Sequence, residues 1–209
     1  MTENRWLQLL EENPGHSDWY IERFRSMAAE GKDLDGEARM VDAMVGRSAR
    51  ILDAGCGTGR VGGRLADLGH RVVGVDLDPT LVAAARADHP GATWLVGDLS
   101  ELDLTAHDGP SDLDPDDPRE FDAVVSAGNV MAFLDPSTRR TVLERLGSHL
   151  ATDGRLVVGF GSGRDYEFDD FFTDVGAAGL AVQLRLSTWD LRPFGPDSDF
   201  VVAVMGRAD

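Results

Sequence analysis

Residues 51 to 60 read ILDAGCGTGR, an apolar run followed by Asp53 and then by glycines at 55, 57 and 59. A glycine-rich turn directly after a strand brings backbone N–H groups close to a ligand, and a helix starting there favours anionic groups. Asp53 opposes that use, because a carboxylate at the mouth of the turn repels a pyrophosphate and attracts an ammonium group. The dinucleotide fingerprint needs glycine at its first, third and sixth positions; counted from Gly55 the sixth is Arg60, and only Gly57, Gly59 and Gly62 match literally. That alignment leaves Asp53 stranded between strand and turn. The stretch suits a zwitterionic ligand, and nicotinamide-dependent hydride transfer stands as the alternative.

Two further acids follow in order. Asp76 closes the apolar run VVGVD and is placed to accept the hydroxyls of a ribose, a role that dehydrogenases also give to an acid ~20 residues past the glycine turn. Asp98 sits in WLVGDLS, where the hydride-transfer reading leaves it without a task.

With these residues the chain resembles the class I S-adenosylmethionine-dependent methyltransferases. Their first motif is apolar residues, an acid, one residue and then Gly-x-Gly-x-Gly, and ILDAGCGTG fits it at every position. The resemblance implies that Asp53, Gly55, Cys56, Gly57, Thr58 and Gly59 surround the methionine part of the cofactor. It implies that Asp76 meets the ribose, that Asp98 and Leu99 meet the adenine amino group and ring, and that Leu77 is also a cofactor-binding residue. The run FDAVVSAGN, with Ser126, is expected to pass under the methionine and the transferred methyl. The matches cover residues 50 to 130, and a terminal hairpin extends the likeness to about residue 206. The cofactor implied is S-adenosylmethionine and the product S-adenosylhomocysteine. A non-catalytic S-adenosylmethionine-binding module would carry the same motifs.

From residue 50 onward, short apolar runs alternate with helical segments, which is the pattern of strand-helix-strand units in a parallel sheet. Strands are read at RILDA, RVVGVD, ATWLV, FDAVVSA and GRLVVGF. Asp78-Pro79 and Asp135-Pro136 each have the form of an N-cap with proline at the first helical position, and Asp78 is expected to serve only as that cap. Gly69 and the Asp153-Gly154 pair mark helix exits. LAVQLRLSTWD and DFVVAVMGR, joined by too few residues for a crossover helix, are expected to pair as an antiparallel hairpin. Ahead of the sheet, helices are predicted over residues 2 to 12, after Ser17 as N-cap, and over 36 to 46 with Gly46 ending the last. The fold class is thus α/β, a doubly wound, mostly parallel seven-stranded sheet with a C-terminal antiparallel hairpin. It is expected as one domain, with residues 1–47 a helical cap over the cofactor and 48–209 the methyltransferase core. The Asp- and Pro-rich stretch at about 102–120 reads as a surface insertion, and its DLDPDDP lacks the glycine and glutamate of a calcium loop.

Ligands of such sheets bind beyond the carboxyl ends of the strands, where strand order reverses. The acceptor is therefore expected against Tyr20 and Phe24 from the front, Asn129 and Phe133 after the fourth strand, Arg164 and Tyr166 after the fifth, and Trp189 and Arg192 in the hairpin. The segment SAGN lacks the signature of amino-directed DNA methyltransferases, and Asn129 stands without the acids of a metal-dependent catechol-type site, so no metal is assigned. Cys56 belongs to the cofactor turn and is expected to be a small buried residue. No histidine is placed as catalytic base; His16 is read as an exposed turn residue, with approach to the cofactor as the alternative if the second helix acts as a lid.

The chain has 209 residues and a formal charge of −17, from 20 Lys and Arg against 37 Asp and Glu. Such a surface repels phosphate backbones and anionic lipid, so nucleic acid and membranes are expected not to be partners, and a small neutral or cationic acceptor is the easier fit. The start lacks the form of a signal peptide, no uncharged run is long enough for a bilayer, and one cysteine suits a reducing compartment, so a cytoplasmic protein is expected.

Overall fold

A computed structural model describes residues 4–105, 113 and 116–208. The chain begins with three helices, α1 (Arg5–Glu12), α2 (His16–Ala29) and α3 (Gly36–Met44). It then alternates β1 (Arg50–Ala54), α4 (Arg60–Asp67), β2 (Arg71–Asp76), α5 (Pro79–Asp88), β3 (Thr93–Val96) and β4 (Phe121–Ser126). A short α6 (Val130–Phe133), α7 (Arg139–Ser148), β5 (Leu150–Gly161), α8 (Phe168–Ala177), β6 (Leu180–Leu186) and β7 (Phe200–Arg207) complete it.

The seven strands form one sheet in the order β3-β2-β1-β4-β5-β7-β6, the expected architecture. β1 to β5 run parallel, and β7 inserts antiparallel between β5 and β6. Winding goes outward from β1 on one side through β2 and β3, then returns to the other side at β4. The crevice between β1 and β4 is the switch point at which open α/β sheets bind ligands.

Strand alternation divides the core. Leu52 and Ala54 of β1 face the large cluster with Val124, Leu143, Leu156 and Phe171, while Ile51 faces Val41 of α3 and Leu65 of α4. Asp53 shares the α4 face, and its side chain is directed at the first turn of that helix.

Several local expectations need correction. α2 starts at His16 with Gly15 as N-cap, so Ser17 lies inside the first turn and its hydroxyl goes elsewhere. α3 ends at Met44 with extended Val45 as C-cap, ahead of Gly46. Asp153-Gly154 is not a helix exit but part of β5, which starts earlier than its apolar run and shifts register against β4. Asp135 caps a single 3-10 turn before α7. The stretch read as a surface insertion has Leu102, Leu104 and Leu113 in the main core, because apolar side chains between the acids gain more from burial than the loop gains from solvation. Residues 106–112, 114 and 115 of that stretch, which include three of the seven residues of DLDPDDP, lie outside the described residues.

Candidate cofactor and acceptor site

A cavity of about 420 Å³ opens at the carboxyl ends of β1, β2 and β4. The glycine turn forms its floor. Gly55 holds φ +78°, and a Cβ there would lie 2.4 Å from Cγ2 of Val130, so the turn and the start of α6 can approach only through a glycine. Gly62, third in α4, donates its N–H to Oδ2 of Asp53 at 2.8 Å. A Cβ on Gly62 would stand 2.9 Å from the same oxygen, so the literal Gly57, Gly59, Gly62 match reflects close packing of helix on strand.

Asp53 is 2 % exposed and lines the cavity. Burial pushes its carboxyl up to about 7, against the pull of the Gly62 N–H and of Arg60. Asp76 accepts from the Gly57 N–H at 2.8 Å with one oxygen and from the Asp78 N–H at 2.9 Å with the other. Burial pushes it up to about 6, opposed by those two N–H groups. Two desolvated carboxyls aimed into one cavity fit a ligand that offers a cation to one and hydroxyl donors to the other. Asp98 and Leu99, just past β3, line the far end; Asp98 is exposed and its Oδ1 accepts from the N–H and hydroxyl of Ser100, both at 2.8 Å.

The N-terminal helices form the roof. Trp6 of α1 donates its indole N–H to Asp78 at 2.9 Å, and Ser17 of α2 donates its hydroxyl to the same oxygen at 2.5 Å. The other Asp78 oxygen caps α5 through the N–H groups of Thr80 and Leu81. Asp78 therefore joins α1, α2 and α5, which is more than the cap expected of it. Tyr20 lies over the glycine turn, its hydroxyl 4.0 Å from where a Cβ on Gly57 would be. Burial pushes the Tyr20 phenol up, opposed by Arg60 and Arg23 and reinforced by Asp76.

Of the predicted cofactor residues, the cavity brings together Asp53, Gly55, Cys56, Gly57, Thr58, Asp76, Leu77, Asp98 and Leu99. Gly59 stands one step behind, where a Cβ would meet Trp94 and Ala85. Ser126 is not brought in: it is 1 % exposed, with a hydroxyl that finds no partner among the described residues, and Ala127 and Gly128 line the wall in its place. Cys56 is buried, and burial pushes its thiol well up, as for an unreactive residue.

The predicted acceptor residues divide. Tyr20, Phe24, Asn129, Phe133 and Arg164 line the cavity. Asn129, at φ +67°, also accepts the Gly161 N–H at 2.8 Å and so ties the ends of β4 and β5 together. Three do not reach the site. Tyr166 is fully buried against Phe160, with Arg139 over its ring and its hydroxyl on Asp174 at 2.7 Å. Trp189 lies flat on Gly159 and packs with Met40 and Met44, because β7 displaces the hairpin sideways and its connection folds onto the α3 face. Arg192 is exposed there, paired with Asp190. His16, read as an exposed turn residue, is half-buried in the cavity wall between Trp6 and Trp19, at 5.0 and 5.2 Å. Trp19, Arg23 and Leu134 also line it unforeseen. The i, i+3, i+4, i+7 spacing of His16, Trp19, Tyr20 and Arg23 was the available signal, since it places all four on one face of α2.

Fold and site together define an open α/β sheet with an acid-lined crevice at its switch point. A methyltransferase-domain family matches residues 51–154. A crystal structure of a TehB-like S-adenosylmethionine-dependent methyltransferase from Corynebacterium glutamicum is 46% identical, with TM-score 0.85 over 93% of this chain and 100% of that one. Streptomyces venezuelae DesVI shares the fold at 19% identity, TM-score 0.68, over 92% of this chain and 98% of its own. A dTDP-3-amino-3,6-dideoxy-alpha-D-glucopyranose N,N-dimethyltransferase from Streptomyces fradiae is 32% identical over 133 residues, 61% of this chain and 47% of that protein. The chain spans about half the length of the curated relatives it matches. The chain belongs to the class I S-adenosylmethionine-dependent methyltransferase family.

Proposed function

We propose that this protein transfers the methyl group of S-adenosylmethionine to an oxygen, nitrogen or carbon nucleophile of a small molecule. The observation that carries the reading is the order of Asp53, Asp76 and Asp98 along one cavity at the ends of β1, β2 and β3. In this reading Asp53 faces the cofactor's ammonium group, Asp76 and Leu77 its ribose, Asp98 and Leu99 its adenine, and the 55–59 turn its methionine backbone. Residues 1–47 serve as the cap and 48–209 as the core, and the three Asp78 hydrogen-bonded elements support that division.

When bound, the cofactor supplies a sulfonium-activated methyl, so that the acceptor's electron pair forms the new bond to carbon while the departing pair stays on sulfur as the thioether. The chain's part is alignment: Tyr20 and Phe133 crowd the cavity from roof and wall, and holding the nucleophile in line can lower the barrier by roughly 7–11 kcal/mol. The roof also excludes water. No side chain is assigned as base, and the reading includes no nucleic-acid or membrane partner and a cytoplasmic setting, which suits a chain whose single cysteine has no disulfide partner.

The test is calorimetric binding of S-adenosylhomocysteine to the wild type, Asp76→Ala and Asp98→Ala, followed by an acceptor screen read by S-adenosylhomocysteine release. Tight binding weakened by both substitutions, with turnover on a small acceptor, is expected. Unchanged binding in both variants overturns the residue roles, and cofactor binding without turnover on any acceptor favours a non-catalytic module.

A further inference from the structure

Nine of the 19 arginines of this acidic chain are seen paired with a carboxylate. Arg5, Arg25, Arg39, Arg47, Arg50 and Arg60 each pair with a carboxylate within 4 Å, as do three others. Arg23 and Arg164 make no ion pair among the described residues, and both line the cavity. Arg23 belongs to the roof helix α2 and Arg164 to the loop after β5.

The surroundings of Arg23 are aromatic. The Arg23 guanidinium lies 5.4 Å from the centre of the Trp19 ring, and that ring, 53 % exposed, is also stacked with His16 at 5.2 Å. Phe24, Phe133 and Leu134 continue the apolar wall inward. An exposed tryptophan at a cavity mouth with an uncompensated arginine over it suits a ligand with an apolar body and a negative end. We propose that the methyl acceptor carries an oxyanion, a carboxylate or a phosphate, which Arg23 and Arg164 receive while its apolar body lies along Trp19 and Phe133.

The inference rests on the methyltransferase reading and reverses the expectation drawn from net charge. A field of −17 disfavours anions over the surface as a whole, but two guanidinium groups without an ion pair among the described residues line this one cavity and offer an oxyanion local partners. They also discriminate, since only an anion gains charge-assisted hydrogen bonds from them in exchange for their water.

The experiment uses the full chain saturated with S-adenosylhomocysteine and titrated with 3-phenylpropionate, phenyl phosphate and the uncharged 3-phenylpropionamide. At least one anion is expected to bind about tenfold more tightly than the amide, as one charge-assisted contact provides. Arg23→Gln and Arg164→Gln, both at exposed positions, are each expected to remove most of that preference while S-adenosylhomocysteine affinity stays unchanged. The carboxylate and phosphate arms identify which oxyanion is preferred. Equal binding of anions and amide, binding of none of them, or a preference that survives both substitutions overturns the proposal. Failure of S-adenosylhomocysteine itself to bind is a separate result and overturns the methyltransferase reading first.

Discussion

The indole N–H of Trp6 donates to the carboxylate of Asp78 at 2.9 Å, across 72 residues of sequence, and Asp78 in turn donates its own N–H to Asp76 at 2.9 Å. One aspartate thus links the roof of the cavity to Asp76, the acid proposed to meet the ribose. Trp6→Phe keeps the ring against Tyr20 and Phe133 but removes the donor. Its expected effect is a faster release of S-adenosylhomocysteine and an affinity lower by up to about tenfold, the size of one hydrogen bond to a charged group. Stopped-flow dissociation checks it, and an unchanged rate would mean that the bond does not hold the roof closed.

Cofactor binding is expected to depend on pH through Asp53 and Asp76. An unfolded aspartate titrates near ~4, and burial raises these two to about 7 and about 6 in the folded, ligand-free chain. Raised carboxyls contribute stability that is complete below about pH 4 and lost as pH climbs through about 6 to 7. A ligand cation beside Asp53 recovers the ionised form, so the rise in thermal midpoint on adding S-adenosylmethionine should grow from about pH 5.5 to 8 and then level off. Asp53→Asn should flatten that curve. A midpoint shift constant over the same range would contradict the pairing.

Gly55→Ala combines a left-handed backbone, costing about 1–2 kcal/mol, with a Cβ 2.4 Å from Val130 Cγ2, a clash of about 1–3 kcal/mol. Only the second part depends on its neighbour. Gly55→Ala with Val130→Ala should therefore recover part of the loss in urea unfolding, and a strictly additive double variant would contradict the contact.

Tyr166→Phe serves as the converse case. The Tyr166 hydroxyl donates to Asp174 within the core around Phe160 and Phe171, so its removal should cost about 1–2 kcal/mol of stability. S-adenosylhomocysteine affinity and the KM for acceptor should stay unchanged; a raised KM would place Tyr166 in the site after all.

That contrast marks what the sequence made legible. Motifs confined to one strand end, such as Asp53 with its glycines or Asp76, declare their position because the strand fixes where the next residues point. The sheet, including its terminal hairpin, followed from alternation of apolar runs. Loop directions depend on tertiary packing: Tyr166 folds into the core against Phe160 and Asp174, and Trp189 and Arg192 are carried away from the switch point because β7 enters between β5 and β6. Asp78 and Ser17 read as caps because their partners lie 61 and 72 residues apart, beyond any local pattern.

The most direct test of the central claim is parallel calorimetric titration of the wild type and Asp76→Ala with S-adenosylmethionine, S-adenosylhomocysteine and NADH. Binding of the first two, none of NADH, and a loss of at least about tenfold in the variant are predicted. Binding of NADH alone, or S-adenosylmethionine affinity indifferent to Asp76, would contradict the account.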